Sequence, residues 1–318
     1  MSKAVCVVWM NESAVYERAL AAAGLADRIE FHGVRNDRPI PAELAARCEI
    51  LVGWRPAPGL LASMPRLRWI QSTTAGMDNW LADAQLRSDV LLSCARGSHR
   101  VQMPENILAA LFFLTKPLMQ CVLDQRSRRW TRRVSQPLAG KTLGILGLGA
   151  IGQELARKAT ALEMTVIGTK RSAAPLPHVA QVYPPQATDE VLGASDFVLL
   201  LLPSTTDTEN FMDARRFRAM RQSAYLLNFA RGALVVDADL IEAVRTKTIA
   251  GAVLDVFRNE PLPSDHPFWS TEGIVVLPHI GGLHPTRDEA VAEVFVANAA
   301  RFLAGEPLLT AVDRARGY

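Results

Sequence analysis

Short runs of β-branched and aliphatic residues recur along the chain, and stretches with helical apolar spacing fill the gaps between them. From Lys3 onward AVCVVW is followed by SAVYERALAAAGL, then by EILVGW, LRWIQ and VLLS. Strand and helix signals in alternation predict a parallel sheet flanked by helices, so a first α/β unit is expected over residues 1–98. Next comes a long amphipathic stretch, ENILAALFFLTKPLMQCVLDQRSRRW. Its Pro117 lacks an N–H and clashes with the preceding turn, which should kink or end a helix there. After QPLAGK the pattern restarts with TLGILGLGAIG, and apolar runs return at MTVIG, FVLLLL, AYLLNF, GAVLDVF and IVVLP, a second open α/β sheet. EAVAEVFVANAARFLAGE then reads as one amphipathic helix ended by Gly305 and Pro307.

The length of 318 residues and the 49% apolar content suffice for two sizeable cores. A net charge of +3, from 35 basic and 32 acidic side chains, demands neither nucleic acid nor an anionic membrane as a partner and is compatible with a small anionic substrate. The opening MSKAVCVVWMNE has too short an apolar run for a signal-peptide core, so a cytoplasmic protein is expected. The longest strongly apolar run, Phe197 to Leu202, is far below the roughly 20 residues that span a bilayer, and no transmembrane helix is expected. Cys6, Cys48, Cys94 and Cys121 form no CxxC or Cys/His spacing and are expected as buried thiols. The six histidines show no HxxxH pairing, so no metal site is expected.

Chemistry first appears in KTLGILGLGAIGQELARKA, where Gly147, Gly149 and Gly152 form GxGxxG between an apolar strand and a helical pattern. The first glycine allows a tight turn, the second lets the backbone approach a pyrophosphate, and the third permits close packing of helix on strand. The whole run, with Leu148, Ala150 and Ile151, is therefore a candidate dinucleotide site. A carboxylate for the ribose hydroxyls is expected about 20 residues on, at the end of the next strand. VIGTKRS sits there instead, with Lys170, Arg171 and Ser172 where an anion would be. Two cations and a hydroxyl suit a 2′-phosphate, which points to NADP(H) as the preferred cofactor and NAD(H) as the weaker one. A solvated turn is the competing reading of the same residues.

Three downstream segments, NFARGALVVD, GAVLDVFRNEPLPSDHPFW and VVLPHIGG, carry ionisable groups beside strand ends. Open α/β sheets bind ligands there, so Arg231, Glu260 and His279 are candidates to converge. NFARG, LDVFRNEPLP and PHIGG, in that order after GLGAIG, closely resemble the signatures of the D-isomer-specific 2-hydroxyacid dehydrogenases. ILVGWRP, TTAGMDNW, MPEN and the terminal VDRARGY extend the likeness, over nearly the whole chain, to the glyoxylate/hydroxypyruvate reductase A branch. That branch prefers NADPH, in agreement with Lys170 and Arg171.

A 2-oxo acid needs its carboxylate held and its carbonyl polarised, which the planar guanidinium of Arg231 can do. The alkoxide that forms needs a proton, which the imidazolium of His279 can give near neutral pH, with Glu260 favouring its charged form. The resemblance further implies that backbone amides around Ala75 and Gly76 hold the substrate carboxylate and that Trp54 walls the pocket. A plain turn and simple packing are the competing readings for these. It also implies cofactor contacts from Leu202, Pro203, Phe229, Ala230, Asp255 and Gly281. Arg287 is a weaker candidate for a second substrate-facing cation, because GGLHPTR departs from the small residues usual after the family's histidine.

RSRRWTRR can be drawn as a nucleic-acid patch, but it follows the long helix, where arginine and tryptophan also suit a subunit contact. The reading as a whole is α/β, two Rossmann-like or flavodoxin-like domains with parallel sheets. An NADP-binding domain of residues 99–287 is inserted in a substrate domain of 1–98 plus 288–318. The expected activity is NADPH-dependent reduction of small 2-oxo acids such as glyoxylate and hydroxypyruvate, in a homodimer. The rivals are a nucleotide-sensing, corepressor-like binding protein and a β-hydroxyacid dehydrogenase, which would use a lysine base.

Overall fold

Five strands, β1 (Ala4–Trp9), β2 (Ile29–Val34), β3 (Ile50–Gly53), β4 (Trp69–Ser72) and β5 (Leu91–Ser93), form one parallel sheet in the order β2-β1-β3-β4-β5. Seven more form a second parallel sheet. They are β6 (Thr142–Leu146), β7 (Thr165–Thr169), β8 (Gln181–Tyr183), β9 (Phe197–Leu200), β10 (Tyr225–Asn228), β11 (Gly251–Leu254) and β12 (Ile274–Val276), in the order β12-β11-β10-β9-β6-β7-β8. This computed structural model describes residues 3–317; Met1, Ser2 and Tyr318, which the expected first domain includes, lie outside them. The chain divides into two units, one running to Ser98 and resuming at His284, the other His99–Leu283. The return thus comes at 284 rather than at the expected 288, because Arg287 already opens the last helix of the first unit.

Inner strands of both sheets are buried at every residue (β3, β4, β9 and β11), as expected where helices cover both faces. In the first unit helix Arg287–Ala304 lies on helix Ser13–Ala22 and packs Val291, Phe295, Ala299 and Phe302 with Tyr16, Leu20 and Trp69. Trp69 stacks on Phe295 with centroids 5.6 Å apart, and truncating such a phenylalanine to alanine costs about 3–5 kcal/mol. A buried polar chain fixes the register of that helix. Ser93 Oγ accepts from Trp69 Nε1 at 2.8 Å and donates to Gln71 Oε1 at 2.7 Å, and Asn298 Nδ2 donates to the same oxygen at 3.0 Å. The helix stops at Gly305, whose φ of +73° suits a residue without a Cβ.

In the second unit helix Gln102–Thr115 ends just before Pro117 and helix Leu118–Arg126 follows at 62° to it. Among the described residues no single helix is long and apolar enough to cross a membrane. Ile107, Ala110 and Leu111 of the first helix share a core with Leu155, Ala156 and Ala159 of helix Ala150–Thr160. The second helix is largely exposed, and Cys121 on it is exposed with Leu118 and Val122, contrary to the expectation of four buried thiols. The other three cysteines are buried, and burial pushes the Cys48 thiol up to about 12. Within the arginine run, Arg129 and Arg133 both turn back onto the buried carboxylate of Asp124, at 3.2 and 2.8 Å, while Trp130 is 96% exposed.

Candidate active site

The strand order of the second sheet reverses at β6, with β7 on one side of it and β9 on the other, the kind of switch point at which open parallel sheets bind ligands. Gly147 follows β6 with φ +110°, and a Cβ there would lie 2.7 Å from the Leu201 carbonyl oxygen. The turn therefore presses against the segment that continues β9 into Leu202 and Pro203. A Cβ on Gly152 would meet the Gly147 carbonyl oxygen at 2.8 Å, which brings the helix close under the turn. Gly149 is different: it is the N-cap of helix Ala150–Thr160, and a Cβ there would meet nothing within 4 Å. The glycine run thus makes a tight turn with open space at its middle glycine and a helix start behind it, a cradle that fits a pyrophosphate.

Leu148 N–H donates to the Thr169 carbonyl at 3.0 Å, which ties this turn to the end of β7. Lys170, Arg171 and Ser172 follow, Lys170 half-buried and the other two exposed. The Lys170 ammonium has no hydrogen-bond or ion-pair partner among the described residues, so it is available to an incoming anion.

Arg231, Glu260 and His279 all belong to the second unit. Arg231 stands before a 3-10 turn, Gly232–Leu234, and its Nη1 donates to the Ala230 carbonyl at 2.7 Å. The side chain of Asn228, the last residue of β10, pins this turn from both sides: Nδ2 donates to the Arg231 carbonyl at 2.9 Å and Oδ1 accepts from Ala230 N–H at 3.1 Å. Glu260 accepts from Phe257 N–H at 2.9 Å and from His279 Nδ1 at 2.6 Å. His279 sits at φ +53°, in the left-handed region that few non-glycine residues adopt and in which histidine is among those enriched.

The loop after His279 is clamped on both sides. Asp255, 1% exposed, accepts from Ile280 N–H at 2.8 Å and Gly281 N–H at 2.9 Å, and a Cβ on Gly281 would meet its Oδ2 at 2.6 Å. Asn106 Nδ2 donates to the carbonyls of Ile280 and Gly281 at 3.1 and 3.0 Å. In the sequence Asn106 shows only as a polar residue of the MPEN segment that opens an apolar helix.

The hydrogen bond that His279 donates to Glu260 raises the His279 pKa above its ordinary 6.5, against an opposing push from burial; the charges of Glu260 and Asp255 add to the rise and that of Arg231 reduces it. For Glu260 burial pushes upward, but the His279 hydrogen bond, the Phe257 amide and the charges of His279 and Arg231 together hold the carboxyl below 4.5. An imidazole held against a carboxylate, with a guanidinium whose charge acts on both, can serve as a proton donor beside an anion-binding group.

In the first unit, Trp54 follows β3, is 47% exposed, and carries the Arg55 guanidinium 4.8 Å over its ring. Ala75 and Gly76 lie in the loop after β4, and among the described residues no acceptor engages their N–H groups. Thr74 Oγ1 donates to the Gly76 carbonyl at 2.9 Å. Arg287 donates to the Thr73 carbonyl at 2.9 Å and pairs with Asp288 at 3.1 Å, so this cation braces the loop that carries Ala75 and Gly76.

The pattern of the NAD binding domain of the D-isomer specific 2-hydroxyacid dehydrogenases matches residues 108–281. A glyoxylate/hydroxypyruvate reductase A of Yersinia enterocolitica is 29% identical over 303 residues, 93% of this chain and 95% of that one. The crystal structure of a D-isomer specific 2-hydroxyacid dehydrogenase family protein from Aeromonas salmonicida superposes with a TM-score of 0.90 at 34% identity, covering 98% of this chain and 100% of that one. An NADPH-dependent glyoxylate/hydroxypyruvate reductase from Sinorhizobium meliloti, solved with NADP and sulfate, superposes at 0.85 with 28% identity, covering 99% and 100% of the two chains.

Proposed function

The chain belongs to the D-isomer specific 2-hydroxyacid dehydrogenase family, in its glyoxylate/hydroxypyruvate reductase A-like branch, and on that premise we propose that it reduces small 2-oxo acids with NADPH. Glyoxylate and hydroxypyruvate are the proposed substrates; the first gives achiral glycolate and the second a D-2-hydroxy acid. The observation that carries this reading is the 2.6 Å contact between Glu260 and His279 on a loop held by Asp255.

Gly147, Gly149, Gly152 and the start of helix Ala150–Thr160 would hold the pyrophosphate, with Leu202, Pro203, Phe229, Ala230 and Gly281 beside the rest of the dinucleotide. Lys170, Arg171 and Ser172 would read its 2′-phosphate. When bound, NADPH supplies the hydride that converts the carbonyl carbon to an alcohol carbon.

The chain's own side chains supply the rest. Arg231 binds the substrate carboxylate and directs N–H toward the carbonyl oxygen, which stabilises negative charge as it develops there. Because Nδ1 of His279 is engaged by Glu260, Nε2 is the nitrogen that gives its proton to that oxygen. Glu260 remains a carboxylate throughout and keeps the ring charged until the proton leaves. Trp54, Ala75 and Gly76, the last two on the loop that Arg287 braces, belong to the first unit, and their proposed substrate contacts rest on the family resemblance.

The test is nicotinamide absorbance with glyoxylate, hydroxypyruvate and phenylpyruvate against NADPH and NADH. Turnover of a small oxo acid, faster with NADPH and abolished by His279→Ala with NADPH affinity retained, is expected. Failure of all oxo acids, or full activity in the His279 variant, overturns the reading.

A further inference from the structure

Arg258 has no role assigned so far, yet its side chain joins two of the segments that do. It sits in LDVFRNEPLP, two residues before Glu260. Its Nε donates to the Val235 carbonyl at 3.0 Å, and its Nη2 donates to the Val235 carbonyl at 2.5 Å and the Ala233 carbonyl at 3.2 Å. The same nitrogen donates to Asn210 Oδ1, and the Asn210 backbone N–H in turn donates to the Ala233 carbonyl at 2.8 Å. Behind the guanidinium Asp237 lies 3.7 Å away, with His266 Nε2 at 3.5 Å on its other oxygen. The backbones of the two segments are themselves in close apposition, since a Cβ on Gly232 would fall 1.9 Å from the Phe257 carbonyl carbon.

Residues 232–235 continue directly from Arg231, and Phe257 is the residue whose N–H holds Glu260. A planar fork that binds several carbonyls at once fixes direction as well as distance, which a point charge does not.

We propose that Arg258 is a positioning residue, whose guanidinium straps the turn bearing Arg231 to the loop bearing Glu260 and so sets the separation of the substrate-binding cation from the Glu260–His279 pair. The proposal rests on the catalytic reading of Arg231, Glu260 and His279. Cutting the strap leaves the Glu260–His279 contact intact, because both of Glu260's hydrogen bonds are made without Arg258, while the Arg231 turn keeps Asn228 but loses its hydrogen-bonded link to the Glu260 loop. Three charged groups act on His279: Glu260 and Asp255 raise its pKa, and Arg231 lowers it. Withdrawal of Arg231 should therefore move the His279 titration upward.

The experiment compares wild type with Arg258→Gln and Arg258→Lys by kcat/KM, by NADPH affinity, and by NMR titration of the His279 imidazole without substrate. A misplacement of about 1 Å in an active site costs up to about 100-fold. The expected result for Arg258→Gln is a kcat/KM lowered by about 10- to 100-fold, unchanged NADPH affinity and an upward-shifted His279 titration, with Arg258→Lys intermediate. Should Arg258→Gln not fold, Arg258→Lys carries the same comparison. Wild-type kcat/KM in a folded variant overturns the proposal, and so does lost activity with an unmoved His279 titration, which marks a merely structural role. If the wild type turns over no oxo acid, the functional reading fails, while the titration still tests the strap.

Discussion

His279 Nδ1 and Glu260 Oε2 lie 2.6 Å apart, and each holds the other in its charged form. The signs of the two shifts define a window. The raised His279 pKa adds stability that is complete below its ordinary 6.5 and is lost as pH rises through the higher folded value. The lowered Glu260 pKa adds stability present above 4.5 and lost as pH falls through the lower folded value. The pair therefore stabilises the second unit most between those two pH values. Glu260→Gln should move the alkaline limb of the kcat/KM profile down toward pH 6.5 and lower activity at pH 8 by about 10- to 100-fold. A profile between pH 5.5 and 9 that superposes on wild type would remove Glu260 from the mechanism.

Gly147 and Gly149 make opposite predictions although they are two residues apart. In Gly147→Ala the new methyl meets the Leu201 carbonyl oxygen at 2.7 Å on a backbone at φ +110°, so thermal stability should fall by about 1–3 kcal/mol. In Gly149→Ala the methyl enters open space, so Tm should hold while NADPH affinity drops by about tenfold or more, because the space is the one a pyrophosphate needs. Equal losses of Tm in both, with NADPH affinity intact in the second, would make the turn a purely structural one.

Lys170 and Arg171 can be removed together without disturbing the packing of β7, whose last residue is Thr169. In the double alanine variant the kcat/KM ratio of NADPH to NADH should fall about tenfold or more, some 1.4 kcal/mol, with NADH kinetics nearly unchanged. A ratio equal to wild type would assign both side chains to a solvated turn.

Legibility in the sequence followed burial. β1, β3, β4, β6, β9, β10 and β11 announced themselves as apolar runs because helices cover both sides of them. β2 and β8, each at one edge of its sheet, carry no such run: IEFHGV has one fully buried residue and QVY none, whereas β12 at the opposite edge of the second sheet still reads as the apolar run IVV although none of its residues is fully buried. Pro117 and Gly305 marked helix ends through backbone chemistry that acts locally. Arg231, Glu260 and His279 stood out as ionisable groups beside strand ends and through the family likeness, and the structure draws them together. Asn106 and Arg258 were invisible as supports because most of their partners are backbone carbonyls outside their own segments, and such contacts leave no residue pattern.

The order of the chain also governs how it is made. Trp69 and Tyr16 emerge early in synthesis, yet Phe295 and Phe302, which cover them, arrive only after the whole second unit has left the ribosome. The inserted unit is continuous and can close its own core as it appears, whereas the flanking sheet waits with one apolar face bare. For this protein the first unit to begin is the last to finish, and its aromatic face is the surface a nascent chain must keep from its neighbours until the final helix docks.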